Sequence, residues 1–196
     1  MIKLNRPPCP HPDALINKNY KHPKNKEALK NASNDKCMYC ESKISHTYAG
    51  DVEYIKPKAA DKFPELEFEW DNHGYCCWKC NNEKSDKYFD GVEFIDPYSE
   101  EPEHHLYAFG VFIFHKNGSE RGDITIREIG LNRPELIEKR GSRISEVRKA
   151  IDACFKTKSE HLKKLALDEL KQEANDDKEY SIVIKALLVA NELLEN

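Results

Sequence analysis

Hydrophobic and polar positions change their spacing several times along the chain, and each spacing predicts a different element. Residues 51–55 alternate between polar and apolar side chains and stop before Pro57, which predicts a strand followed by a loop. Residues 70–77 form a second short extended stretch. A polar helix is predicted to begin directly afterwards, near Cys80. The centre of the chain is therefore predicted to run strand, strand, helix.

Further along, an aromatic and β-branched run at residues 106–114 predicts another strand. Asn117 and Gly118 form a turn signal, and residues 123–127 then alternate again. Together these features predict a β-hairpin whose second strand is residues 123–127.

Both ends of the chain are predicted to be helical. Residues 1–23 indicate an irregular arm with a short helix near 13–16, and residues 24–33 are good helix formers. Past residue 131 the apolar positions take helical spacing, with Asn132 as the expected N-cap and Pro134 in the first turn. Two further helices are predicted, over about 159–173 and over 180–194.

Composition limits the size of the core and the choice of partners. Of 196 residues, 39% are hydrophobic and 34% are charged, which allows a modest core of the kind that a bound metal often supplements. The net charge is −4, so the chain as a whole is not a basic nucleic-acid binder. Contact with nucleic acid would need a local basic patch or a partner subunit.

The seven cysteines indicate metal binding and not disulfides. No apolar run approaches the roughly 20 residues that cross a bilayer, and the first residues lack the apolar stretch of a secretory signal, so we expect a cytoplasmic protein without membrane contact. Thiols stay reduced in that compartment. An odd number of cysteines that includes two Cys-x-x-Cys pairs therefore favours a metal site.

The two pairs have the spacing of a closed zinc site. They are separated by 36 residues and comprise Cys37, Cys40, Cys77 and Cys80. Two such turns supply four thiolates to one tetrahedral ion and leave no open position, so the predicted Zn²⁺ is structural. Cys76 is an alternative ligand with poorer spacing to Cys80, and four unrelated buried cysteines are the remaining alternative.

Between the cysteine pairs the chain resembles the HNH (ββα-metal) endonuclease family. The resemblance covers roughly residues 30–90 and rests on the order of three segments: Asp51-Val-Glu-Tyr-Ile-Lys-Pro-Lys58, Trp70-Asp-Asn72 and Cys77-Trp-Lys-Cys-Asn-Asn-Glu-Lys84. It implies an α+β fold with a zinc-stapled ββα core, a following β-hairpin and a C-terminal helical extension. The implied segments are an arm and short helix (1–33), the zinc-bound HNH core (34–100), the hairpin (101–130) and a helical region (131–196).

The resemblance also implies roles for individual residues. Glu53 and Asn81 would be ligands of a catalytic divalent ion, Mg²⁺ or Mn²⁺, and Asp51 would be an additional acidic group. Asn72 would hold the loop in position. Lys84 would contact phosphate or act as a structural partner. Such an ion takes few protein oxygens and keeps sites for phosphate and water.

One position departs from the family pattern, because Tyr54 stands where the resemblance implies a histidine general base. A tyrosine, with a pKa of about 10, is a poor base near pH 7. Three explanations stay open: another histidine, His73 or His46, supplies the base; the site is weakened or inactive; or the metal activates Tyr54. The alternative for His73, and the one we favour, is that it packs beside the zinc turns without a catalytic role.

The family resemblance implies a nuclease that acts on DNA or RNA. Five lysines would form a basic rim for the polyanion, or merely a solvated face: Lys56, Lys58, Lys79, Lys84 and Lys87. Residues 125–133 more weakly resemble the HNH subunit of Septu-type and retron-linked anti-phage systems, which implies an SMC/ABC-like ATPase partner. The alternatives are an assembly or nucleic-acid-binding subunit that has lost its chemistry, or a zinc-dependent DNA-binding module.

Overall fold

The computed structural model describes residues 1–46 and 48–195, so Thr47 and Asn196, the last residue of the predicted helical region, lie outside the described residues. Within this part the chain order is α1 Pro12–Ile16, α2 Pro23–Ala32, β1 Asp51–Tyr54, β2 His73–Cys76, α3 Trp78–Lys84, β3 Leu106–Phe109, β4 Phe112–His115, α4 Glu120–Ile129, α5 Pro134–Lys156, α6 Glu160–Gln172 and α7 Ser181–Ala190.

The strand, strand, helix order at the centre is confirmed. β1 and β2 pair antiparallel, with Glu53 opposite Gly74 and Tyr54 opposite His73. β2 is shorter than predicted because residues Trp70–Asn72 form a 3-10 turn. α3 follows at once, since the side chain of Cys77 caps its first turn by accepting a hydrogen bond from the backbone N–H of Cys80.

A β-hairpin follows the core, but its strands and turn are not the predicted ones, because the run at residues 106–114 that was predicted as one strand contributes to both β3 and β4. β3 pairs with β4, and Gly110 at the turn has a φ of +57°. Residues 123–127 lie in α4 instead. The Ser119 side chain caps the start of α4, and Gly130, with a φ of +66°, ends it. These two caps outweigh the β-branched alternation between them.

The first long C-terminal helix is confirmed, but its predicted N-cap is wrong. Pro134 is in the first turn of α5, while Arg133 and not Asn132 is the N-cap residue. The Asn132 amide instead accepts a hydrogen bond from the backbone N of Ile113 at 2.9 Å and donates one to its carbonyl at 2.7 Å. This side chain therefore ties β4 to the start of α5.

Two apolar clusters hold these elements. The larger one surrounds the cysteine turns, β2 and the inner faces of the hairpin and α4. The smaller one joins α5, α6 and α7 through Val147, Ile151, Cys154, Leu170, Ile184 and Leu188. The predicted fold class is confirmed, while the segment boundaries at residues 33, 100 and 130 stay a prediction. Among the described residues, no helix is long and apolar enough to cross a membrane.

Candidate metal centre and nuclease site

Four thiols converge at the base of the ββα unit. Their sulfur atoms all lie within 4.8 Å of one another, and they belong to Cys37, Cys40, Cys77 and Cys80. A compact set of four sulfur ligands fits tetrahedral zinc and leaves no position for a substrate. The residues present therefore fit the predicted structural ion, which would do no chemistry itself.

Local structure places each half of this cluster. The first pair lies in a tight turn in which Glu41 donates its backbone N–H to the Cys37 carbonyl at 3.0 Å. Met38, between the two cysteines, donates its own N–H to the carbonyl of Tyr75 in β2 at 3.0 Å. The second pair spans the end of β2 and the first turn of α3. A bound ion would thus join the first turn to both β2 and α3.

Cys76 lies next to the cluster but outside it. Its sulfur is 3.7 Å from that of Cys37 and contacts the Cys77 carbonyl at 3.3 Å. Neighbouring thiols, Cys37 first among them, lower the pKa of Cys77, whereas burial raises that of Cys76. Because the converging sulfur atoms include that of Cys77 and not that of Cys76, the geometry favours Cys77 over Cys76 as the fourth ligand.

Arg133 is a contact of the cluster that the sequence did not reveal. Its Nη1 lies 3.4 Å from the sulfur of Cys80 and donates to the Gly130 carbonyl at 3.1 Å. Burial opposes its charge, but the nearby Cys80 and Cys40 raise the pKa of Arg133. Arg133 is thus a fixed cation beside the thiolates. It is 53 residues from Cys80 in the chain, and no local motif marks it.

Glu53 is buried in an ion pair. Its Oε1 lies 2.7 Å from Nζ of Lys84, and the two side chains are 2% and 0% exposed. Burial raises the pKa of Glu53 to about 6, while Lys84 and the Tyr39 hydroxyl oppose the rise. The Lys84 ammonium also donates to the Tyr54 carbonyl at 2.7 Å.

This arrangement does not fit a divalent ion at Glu53 as it stands. An ammonium group already lies where an ion would contact the carboxylate, and Mg²⁺ needs oxygen ligands at about 2.0–2.1 Å. Asn81 is partly exposed one helical turn before Lys84 on α3. The ligand roles of Glu53 and Asn81 stay predictions. Lys84 is buried, so the prediction that it belongs to the basic rim is wrong.

Tyr54 points to the opposite side of β1 from Glu53, because successive side chains of a strand alternate. Burial, followed by the neighbouring Tyr20, raises the pKa of Tyr54 above its usual value. Its hydroxyl is buried and has no hydrogen-bond partner among the described residues. Tyr54 is therefore a protonated phenol near pH 7.

The two candidate replacement histidines lie in different surroundings. His73 is fully buried opposite Tyr54, with ring centroids 5.4 Å apart, and burial lowers its pKa. Its Nε2 lies 2.9 Å from the Glu67 carbonyl, so Nε2 carries the proton and Nδ1 is the free nitrogen. His46 is exposed and lines a surface cleft with Glu138 of α5. Neither imidazole faces both Tyr54 and solvent.

Asn72 has the contacts that its predicted role requires. Its amide accepts from the Lys56 backbone N at 2.7 Å and donates to the Lys56 and Leu66 carbonyls at 3.0 and 3.1 Å. These bonds hold the loop that follows β1. Asp51 lies at the start of β1 and lines a cavity of about 590 Å³ together with Tyr48 and Trp78.

The four remaining lysines of the predicted rim differ in their exposure and in their contacts. Lys56 is exposed, with its ammonium 5.2 Å from the centre of the Phe63 ring. Lys58 pairs with Glu67 and lies 5.0 Å above the Tyr54 ring. Lys79 and Lys87 are partly exposed and pair with Glu83 and Glu128. Of these four lysines, Lys58 is therefore the one whose ammonium lies over the Tyr54 ring.

Comparison with known proteins agrees with this geometry. Residues 37–87 match the family model described as HNH endonuclease. This range begins at the first cysteine of the cluster and ends just after α3, so it contains β1, β2 and α3 completely. This part of the chain is similar to HNH endonuclease domains, and the predicted family resemblance is confirmed.

The chain is also similar to two proteins named Septu protein PtuB. The one from Bacillus mycoides (strain KBAB4) is 28% identical over 151 residues, which covers 62% of this chain and 51% of that protein. The one from Bacillus thuringiensis is 28% identical over 220 residues, which covers 98% of this chain and 83% of that protein. The chain thus spans about half the length of the first relative and most of the second, and it resembles the Septu-like subgroup.

Proposed function

We propose that this chain is the nuclease subunit of a Septu-like anti-phage defence complex and that its HNH domain cleaves phosphodiester bonds in DNA or RNA. The observation that carries the proposal is the coincidence of the family match with the ββα unit that the four thiols close. An SMC/ABC-like ATPase is the expected partner, and the cytoplasm is the expected place of action. The proposal includes a retron-linked defence system as one in which this subunit would act.

The described residues suggest how a nucleic acid would be held. The loop after β1 carries Lys56 and Lys58, and Asn72 fixes that loop to the residues that precede β2. Exposed lysine ammonium groups attract phosphates without regard to sequence. Cleavage without base recognition is what an acidic chain with a small local basic patch would support.

A nicking assay with a matched pair of variants tests the proposal. Wild type, Asn81→Ala and Asn82→Ala would be incubated with plasmid DNA, single-stranded DNA and RNA in Mg²⁺ or Mn²⁺, with and without the partner ATPase. Asn82 is the exposed neighbour of Asn81 on the same helix. With the partner ATPase present, we expect wild type and Asn82→Ala to cleave, and Asn81→Ala to lose at least about a hundredfold in rate. No cleavage by wild type under any of these conditions would count against the proposal.

A second candidate function is an HNH-fold subunit with weakened chemistry that acts in assembly or nucleic-acid binding. Two observations favour it: Tyr54 replaces the expected base and stays protonated, and Glu53 is paired with Lys84. The variant Tyr54→His separates the two functions. Cleavage by Tyr54→His alone would mean that the site is present but disabled, whereas cleavage by wild type would mean that a substitute base exists or that the metal activates Tyr54.

A further inference from the structure

The surroundings of the Glu53 carboxylate are completely enclosed. Lys84 of α3 faces it from one side, Tyr39 of the first cysteine turn contributes a hydroxyl, and Gly74 is its partner on β2. The next acidic group, Asp51, is two residues away on β1 and disfavours the charge of Glu53. Among these groups, Lys84 is the one that carries a positive charge.

Lys84 is tightly fixed in this position. Its ammonium lies 2.7 Å from Glu53 Oε1, donates to the Tyr54 carbonyl at 2.7 Å and stands 5.7 Å from the centre of the Phe94 ring. The side chain is fully buried. A buried ammonium needs a carboxylate partner as much as a buried carboxylate needs a cation, so each residue holds the other.

The start of α3 explains why Lys84 points inward. Cys77 caps the helix, and Cys80 lies in its first turn with its sulfur in the thiol cluster. Lys84 follows Cys80 by four residues, so both side chains lie on the same face of the helix. The same turn that presents a thiol to the metal centre therefore directs Lys84 towards Glu53.

We propose that Lys84 is a built-in cation that occupies the position of a divalent ion at Glu53, so that the isolated chain binds no Mg²⁺ or Mn²⁺ there. A divalent ion and the Lys84 ammonium held against this enclosed carboxylate would repel each other at short range in a medium of low dielectric constant, so Lys84 opposes binding of the ion. Binding of a divalent ion at Glu53 requires that Lys84 leaves first. The inference rests on the proposed function only in expecting an ion at this carboxylate.

Mn²⁺ binding measured by electron paramagnetic resonance tests this directly, without any cleavage reaction. The zinc-loaded full chain would be titrated as wild type, Glu53→Gln, Lys84→Met, the double variant Glu53→Gln/Lys84→Met, and Lys87→Met. Lys87 is a partly exposed lysine next to the same helix and serves as the matched control. Lys84→Met keeps the length of the side chain and removes its charge.

We expect wild type, Glu53→Gln and Lys87→Met to show the same weak Mn²⁺ binding. Lys84→Met should gain one site that binds at least about tenfold more tightly, which is an ordinary size for the coupling of two competing cations. The double variant should lose that site. Of the five proteins, Lys84→Met should be the one whose melting temperature Mn²⁺ raises, because a ligand that binds only the folded state stabilises it.

Two results would overturn the inference. One is Mn²⁺ binding by wild type that Glu53→Gln abolishes, which is measurable even if Lys84→Met does not fold. The other is a folded Lys84→Met that gains no Mn²⁺ site, since Lys84 would then not be what excludes the ion. If the proposed nuclease function is wrong, the cleavage assay will show no cleavage. The Mn²⁺-binding results will not change in that case.

Discussion

Tyr54 and His73 face each other across the β1–β2 ladder, with ring centroids 5.4 Å apart. The residue at the expected base position is thus a half-buried tyrosine with an enclosed hydroxyl, and its partner is an imidazole that solvent does not reach. The ββα unit keeps its strand pairing at this point, while a tyrosine stands where the family resemblance implies the proton acceptor. His73 has a physical consequence of its own, because a buried neutral imidazole makes stability depend on pH.

We predict that acid destabilises the protein partly through His73. Burial lowers its pKa in the folded state, helped by Arg6 and Lys58, although the Glu67 carbonyl and carboxylate oppose this. The unfolded chain therefore takes up a proton below about pH 6.5 that the folded chain does not. Stability from this residue is present above that pH and decreases as pH falls, by at most about 1.4 kcal/mol per pH unit.

Urea unfolding between pH 7.5 and pH 5 checks this prediction. His73→Gln should show a shallower loss of stability towards acid than wild type, because glutamine can still donate to Glu67 but does not titrate. His104→Gln, at an exposed position, should keep the wild-type slope. Equal slopes in all three proteins would show that His73 is not a source of the pH dependence.

We predict that Cys77 and Cys76 differ sharply in their importance for zinc. Cys77→Ala removes one of four clustered sulfurs and should abolish stoichiometric zinc, with a loss of several kcal/mol of stability. Cys76→Ala removes a buried sulfur outside the cluster and should keep one zinc per chain, at a cost of about 1 kcal/mol. Metal analysis by mass spectrometry and thermal melting measure both. Loss of zinc in Cys76→Ala with retention in Cys77→Ala would reverse the ligand assignment.

We predict that Arg133 strengthens zinc binding. Its guanidinium contacts the sulfur of Cys80 and offsets the charge of the thiolates. Arg133→Met should weaken zinc affinity by about 10- to 100-fold in a chelator competition, which is the usual effect of removing a partner of a metal ligand. Arg127→Met, at an exposed arginine of α4, should leave affinity unchanged. Equal affinities in the two variants would mean that the Arg133 contact has no energetic effect.

We predict that Asn72→Ala destabilises the protein by about 3 kcal/mol. The substitution leaves the backbone N and O of Lys56 without their partner, and the Leu66 carbonyl loses one of its two donors and keeps the backbone N–H of Glu69. Thermal and urea unfolding would measure the loss, and Asn82→Ala should change stability by less than about 0.5 kcal/mol. A small effect of Asn72→Ala would indicate that water replaces the lost hydrogen bonds.

The parts of the fold that the sequence predicts well are those governed by short spacings. Two residues between paired cysteines suffice to predict the metal turns, and Pro57 ends the first strand near its observed limit. Residues 123–127 show where this fails. Their alternation is that of a strand, yet the caps at Ser119 and Gly130 make the segment helical.

The direction of the Lys84 side chain depends on the residue at which α3 begins, and the sequence does not fix that residue. A helix that began one residue later would turn this side chain by about 100° around its axis. The contact between Arg133 and Cys80 depends on how α5 packs against the core, and it joins residues 53 apart. The spacing from Cys80 to Lys84 sets the face of the helix but not the partner that this face meets. The contact of Arg133 with Cys80 is not encoded by spacing within a motif.

The central claim is that residues 37–87 hold a nuclease site whose base position is Tyr54. Nicking of supercoiled plasmid by Tyr54→His, compared with Tyr54→His/Asn81→Ala in the presence of the partner ATPase, tests it most directly. The restored imidazole should support cleavage at least about a hundredfold faster than in the double variant, which is the lower range for a general base. Equal rates in the two variants, or no cleavage by either of them, would contradict the account.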